Sequence, residues 1–172
     1  MNSPEQQQQK IGKSMVFAMW LVILALLTLF FDKYLGDQHN PNQQVVQRQA
    51  ADGSQEVVLQ QNRQGHYVAN GKINGQDVTF LLDTGATDIA IPENVASRLG
   101  LERGRQVMFE TANGRARGYA TRLESVSLGH IRLTDLPASI NPNVGHDEIL
   151  LGMSFLRQLE INQKDNTLTL QQ

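Results

Sequence analysis

Phe80-Leu81-Leu82-Asp83-Thr84-Gly85-Ala86-Thr87 sets a carboxylate directly after an apolar run and two residues before a glycine. The run reads as a buried strand, and at its end desolvation favours the neutral form of an acid. Thr84 supplies a hydroxyl that can bridge to backbone, and Gly85 lets the main chain approach a neighbour or ligand closely. The same residues also suit a strand that stops in an Asx-type turn, a common use of aspartate. On this stretch alone both readings stand.

Around it the texture from Glu56 onward is β. Val57 to Leu59, Tyr67 to Ile73 and Val78 to Leu82 are short runs of strand formers. Gln64-Gly65 and Asn74-Gly75 punctuate them, the second being a strong two-residue hairpin signature. Pro92 stands at the first turn of a short helix that Gly100 closes. Arg105 to Thr111 and Arg115 to Leu123 flank Asn113-Gly114 as a second hairpin, and Gly129-His130 joins a third. A brief helix follows Ser154, and Lys164-Asp165-Asn166 turns between two last strands. Short strands at hairpin spacing with two small helices predict a mainly β, barrel-like domain over residues 56–172.

Towards the N-terminus, Ser14 to Phe31 carries no charge. Its 18 residues rise about 27 Å, close to the thickness of a bilayer's hydrocarbon core. The run ends Phe31-Asp32-Lys33-Tyr34, without the small-residue site a signal peptidase cuts. Residues 14–31 therefore read as an uncleaved transmembrane anchor helix, and 1–13 as a cytoplasmic tail. Lys10 and Lys13 precede the span while Lys33 is neighboured by Asp32 and Asp37, so the positive-inside tendency places the remainder outside the membrane. Residues 32–55, rich in Gln and Asn, read as a linker with too little apolar area to offset ordering entropy.

Composition narrows the function classes. Lys and Arg total 15 against 17 Asp and Glu, which argues against a nucleic-acid partner. The absence of cysteine excludes thiolate nucleophiles and cysteine-based metal centres. The four histidines show no ligand spacing, and His146-Asp147-Glu148 reads as a polar loop rather than a metal site. No metal and no cofactor is expected.

A second element adds to the Asp83 stretch. Ile149-Leu150-Leu151-Gly152 is another apolar run ending in glycine, with the Asn113-Gly114 hairpin between the two. In this combination the sequence resembles the retropepsin-like aspartic proteases, and more closely their single-pass, membrane-anchored bacterial branch, with DTGAT at 83–87 and LLGMSFL at 150–156. The resemblance implies a closed barrel, half of a pepsin-type fold. It implies Asp83 as the catalytic residue, with Thr84, Gly85 and Ala86 supporting the loop and meeting substrate backbone. Asn113 and Gly114 would form the flap, and Leu150, Leu151 and Gly152 would brace the loop. One Asp-Thr-Gly per chain implies a homodimer whose two Asp83 carboxylates activate water against a polypeptide substrate. A single-pass inner-membrane protein with a periplasmic or other extracytoplasmic catalytic domain follows from the anchor. The alternative is a tethered, non-catalytic peptide- or protein-binding domain on the same fold.

Two positions depart from the viral pattern together. Viral members pair an acid after the loop with an arginine after the second glycine; here those positions are Thr87 and Met153. Asp88 either lines the cleft or caps the next turn. Arg103, Arg105, Arg115 and Arg117 admit two readings, a basic lid favouring acidic peptides or a solvated hairpin kept soluble by charge.

Overall fold

The computed structural model describes residues 4–49, 53–111, 114–142 and 144–172. The chain divides into two compact units, one through Gln38 and one from His39 to Gln172. In the first, α1 (Pro4–His39) is a single helix whose last residue already belongs to the second unit. Its segment Met15–His39 contains an 18-residue window of mean hydropathy 2.4 and is long and apolar enough to cross a membrane. Trp20 and Leu29 are among the large apolar side chains it exposes. The helix extends beyond the expected 14–31 at both ends, because Lys10, Lys13 and Lys33 are themselves good helix formers.

The second unit is built on two sheets. In chain order it contains β1 (Val46–Gln49), β2 (Gln55–Gln60), β3 (Tyr67–Ile73), β4 (Gln76–Leu82) and β5 (Ile89–Pro92). Then follow α2 (Glu93–Arg98), β6 (Gln106–Thr111), β7 (Gly114–Leu128), β8 (Ile131–Asn141), β9 (Ile149–Leu151) and α3 (Met153–Leu156). A final hairpin, β10 (Glu160–Lys164) and β11 (Thr167–Gln171), ends the chain. One sheet has the order β3-β4-β9-β5-β8-β7-β6, and β3 also pairs with β7, which closes the expected barrel. The other has the order β1-β2-β11-β10. Fully buried Leu59, Phe80, Ile89, Leu123, Ile149, Leu151 and Phe155 come from both sheets and from α3, so one core serves the whole unit.

Local chemistry explains most of these elements. Asn74 and Gly75 both have positive φ (49° and 80°), the geometry a tight type I′ hairpin requires. Pro92 ends β5 and stands just before α2 rather than inside it. Strands expected as separate pieces at 115–123 and 126–128 form the one long β7: its pairing with β8 skips Glu124 and resumes at Ser125↔Thr134 in the register of Leu123↔Leu136. The helix expected after Ser154 begins at Met153 and makes a single turn.

The expected linker needs correction. Helix occupies it through His39, and β1 inside it pairs with β2 over Val46↔Val58 to Gln49↔Gln55. Asn40 and Asn42 are buried. Asn42 Nδ2 donates to the carbonyls of Gln60 (2.9 Å) and Val68 (2.7 Å), and its Oδ1 accepts from the Gln60 amide at 2.7 Å. Side-chain amides thus add order to the apolar contact that Val45 makes with the core. Residues 50–52 of that linker lie outside the described residues.

Candidate active site

β4 carries the chain to Asp83, and β5 takes it away after Asp88. The two strands are not neighbours, because β9 lies between them. It runs parallel to β4 (Phe80↔Ile149, Leu81↔Leu150, Leu82↔Leu151) and antiparallel to β5 at Ala90↔Leu150. At about 4.8 Å per strand spacing, the loop 83–88 must bridge roughly 10 Å across the end of β9. Leu151 and Gly152 therefore arrive directly beneath it.

The contacts there are mostly main-chain. The Asp83 amide donates to the Leu151 carbonyl at 3.2 Å. Met153 N–H donates to the Ala86 carbonyl (2.8 Å) and Ser154 N–H to that of Thr87 (3.0 Å). The buried Ser154 Oγ accepts from the Ile89 amide at 3.2 Å. A β-carbon on Gly152 would overlap the carbonyls of Ala86 and Asp88, so only glycine admits this approach. Thr87 and Met153, where the viral acid and arginine are missing, are thus each involved in backbone bonds across the same junction.

Asp83 itself is half-buried, while Thr84 and Gly85 are exposed. The strand end is less enclosed than its sequence suggests: Phe80 is fully buried but Leu81 and Leu82 are not. Asp83 Oδ1 accepts from the Gly85 amide at 2.8 Å, and Ala86 N–H donates to the Asp83 carbonyl at 3.2 Å. The Asx-type turn is therefore present. What such a turn does not account for is the grip on it from residues 151–154.

Beneath the loop, Asp83 and Thr84 share a chamber of about 220 Å³ with Tyr67, Leu156, Ile161 and Gln163. The Tyr67 hydroxyl is buried and finds no hydrogen-bond partner among the described residues. On the other side, Asp88 lines a cavity of about 830 Å³ together with Arg103, Arg105, Phe109 and Thr121. That cavity lies along the β6–β7 hairpin, whose register runs from Gln106↔Tyr119 to Thr111↔Gly114. Gly114 opens β7, whereas Asn113 at the expected flap tip lies outside the described residues. Arg103 is not a free lid charge: it pairs with Glu93 and stacks 4.9 Å over the Tyr119 ring. The hydrogen bond it donates to Glu93 holds its guanidinium above the ordinary range.

Of the expected site residues, Asp83, Thr84, Gly85, Ala86, Leu151 and Gly152 come together, and Leu150 sits one position back in register with Leu81 and Ala90. Ser154 and Tyr67 escaped sequence reasoning. Ser154 lies within the LLGMSFL segment, but nothing in that segment assigns its hydroxyl a partner, and a tyrosine opening a strand carries no motif. No three His, Asp or Glu side chains among the described residues converge as a metal centre requires.

Comparison with known proteins is consistent with this geometry. The family model described as gag-polyprotein putative aspartyl protease matches residues 69–158, just over half of the chain. An uncharacterized protein of Sinorhizobium sp. is 38% identical over 116 residues, which cover 66% of this chain and 50% of that one. An uncharacterized protein of Rickettsia prowazekii (strain Madrid E) is 29% identical over 116 residues, covering 61% and 46%. The chain spans about half the length of these curated relatives. Among solved structures, the crystal structure of a retropepsin-like aspartic protease from Rickettsia conorii superposes with a TM-score of 0.59 at 27% identity, covering 74% of this chain and 95% of that one.

Proposed function

Because the chain belongs to the gag-polyprotein aspartyl protease family, with a retropepsin-like fold, we propose that it is a membrane-anchored aspartic endopeptidase acting as a homodimer. The observation that carries this reading is the loop 83–88, held by Leu151, Gly152, Met153 and Ser154 so that Asp83 is fixed at a half-open surface. A two-fold axis beside that loop sets one Asp83 against its copy, an isologous arrangement.

Two carboxylates about 3 Å apart cannot both ionise, so the pair holds one proton between them. The ionised member takes a proton from a water, which attacks the scissile carbonyl, while the protonated member donates towards the developing oxyanion. Any apparent titration belongs to the pair. Thr84 steadies the two loops across the axis, and Gly85 and Ala86 offer backbone to the substrate. A polypeptide then binds in extended form between the β6–β7 hairpin and the loop, by main-chain pairing. Asn113 and Gly114 form the tip of that flap. The apolar helix is the anchor, with residues 1–13 cytoplasmic and the protease unit in the periplasm or another extracytoplasmic space.

The test is digestion of a peptide library by the full chain in detergent micelles, with an Asp83→Asn control. Acid-favoured, pepstatin-sensitive cleavage that disappears in the control is expected. Cleavage at an unchanged rate in the Asn variant refutes the mechanism. Binding without cleavage in both forms moves the assignment to the tethered, non-catalytic alternative.

A further inference from the structure

We propose that Tyr67 is a positioning residue for Asp83: water held in the chamber beneath the loop carries a hydrogen bond from the Tyr67 hydroxyl to the carboxylate and favours its ionised form. The inference rests on the aspartic-protease reading above and names a group that tunes its acid.

Tyr67 opens β3 and pairs with Leu82, the residue before Asp83. It is 7% exposed, and its buried hydroxyl has no partner among the described residues. Burying a hydroxyl without a partner is costly, and native structures satisfy nearly all such groups with protein or ordered water. The chamber that Tyr67 shares with Asp83 and Thr84 measures about 220 Å³. A water takes up about 30 Å³ in the liquid, so the space is ample.

Few lining groups can hold that water. Leu82, Leu156 and Leu168 are apolar. The Gly65 carbonyl already accepts from Gln61 Nε2 at 2.7 Å. Gln163 stands on the exposed strand β10, where solvent satisfies its amide. Asp83 and Thr84 remain. Asp83 Oδ1 takes the Gly85 amide, whereas its Oδ2 and the Thr84 hydroxyl accept from none of the described residues. An ionised carboxylate has about four lone-pair sites, so a bond from this water and contact with the second acid of the pair coexist.

Charge gives the contact its direction. No Lys, Arg or His lines the chamber, and Asp83 is its one carboxyl. Arg63, His66, Arg157, Glu160 and Lys164 on the flanking segments are exposed to solvent, which screens them. Asp88, on the same loop, lines the other cavity. A phenol stays protonated through acid and neutral pH and can donate throughout. Hydrogen bonding to the charged form of a carboxyl favours that form. The Tyr67 hydroxyl therefore lowers the pH at which the pair acquires its general base.

Tyr67→Phe in the full chain in detergent micelles removes the hydroxyl alone. With a peptide found by library digestion as substrate, the acidic limb of kcat/KM is expected to move up by about half a pH unit, roughly a threefold change in proton affinity. An unmoved limb overturns the proposal: higher melting then marks a hydroxyl without a partner, and lower melting a partner other than Asp83. A second arm needs no cleavage. At neutral pH, Tyr67→Phe is expected to lower the melting temperature of the parent but not that of Asp83→Ala, a coupling read by a double-mutant cycle. Equal changes in the two backgrounds overturn the proposal as well. A parent chain that cleaves nothing removes the protease reading and leaves the cycle to decide this one; cleavage with an unmoved limb does the reverse.

Discussion

Gly152 lies directly beneath Ala86, so close that a β-carbon there would sit 2.6 Å from the Ala86 carbonyl oxygen. Gly152→Ala must therefore push the loop 83–88 off the end of β9 or break the Met153–Ala86 bond. Overpacking of this kind costs about 1–3 kcal/mol. A lowered melting temperature is expected, together with a loss of peptide cleavage larger than the stability loss explains, because the displaced atoms belong to the loop that carries Asp83. A Gly152→Ala protein with unchanged melting and unchanged cleavage would show that the brace has no part in the site.

Asp83→Asn and Asp83→Ala separate the two roles of that side chain. The amide oxygen of Asn can still accept from the Gly85 amide, so the turn survives and melting stays close to the parent. Alanine loses the acceptor, at a cost of about 1 kcal/mol for one exposed hydrogen bond. Both are expected to lack peptidase activity. Thermal melts beside peptide assays check the split; an alanine variant as stable as the parent means that the Gly85 bond contributes nothing.

Asn42→Ala tests the order found where a linker was expected. The substitution strips partners from the carbonyls of Gln60 and Val68 and from the Gln60 amide, at a buried position. Unsatisfied buried groups cost about 1–3 kcal/mol each, and together they outweigh any gain in chain entropy. A drop of several degrees in melting temperature is expected. Equal melting of variant and parent would return residues 40–49 to the status of a tether.

That segment marks the limit of what pattern alone discloses. Tyr67 to Ile73, the Asn74-Gly75 turn and the glycine after Leu151 were legible because each answers a local demand: alternation, positive φ or space. Asn40 and Asn42 answer a tertiary demand instead. Their amides fit backbone groups on β2 and β3 that no window of neighbouring residues contains. Arg103 misleads in the same way, since the Glu93 and Tyr119 that engage it become neighbours only after folding. The site followed a similar division, with Asp83 and Gly152 readable and Ser154 and Tyr67 not.

The Arg122–Asp135 pair gives a pH dependence with a definite sign. The hydrogen bond from Arg122 holds the Asp135 carboxyl below its ordinary value of 3.8. A carboxyl depressed in the folded state stabilises fully above that ordinary value, and the contribution vanishes as pH falls through the folded value. Asp135→Asn removes the charge yet tolerates the local φ of 57°. The difference in melting temperature between parent and variant is expected to be small at neutral pH, to shrink below pH 3.8, and to shrink with added salt because both groups are exposed. A difference that grows on acidification contradicts the pairing.

Ser154→Ala isolates the one side-chain bond in the brace. The backbone bonds from Met153 and Ser154 to Ala86 and Thr87 need no hydroxyl and persist, whereas the buried Ile89 amide loses its acceptor. An orphaned buried donor costs about 1–3 kcal/mol, and the void left by one oxygen is too small for water to fill. Ile89 begins the strand that leaves the loop, so the loss loosens the exit of the loop rather than Asp83 at its entry. Melting temperature is therefore expected to fall while the pH profile of peptide cleavage keeps its shape. A Ser154→Ala protein whose profile shifts while its melting holds steady would instead place the hydroxyl in electrical contact with the carboxylate pair, a role that the 3.2 Å bond to Ile89 does not provide.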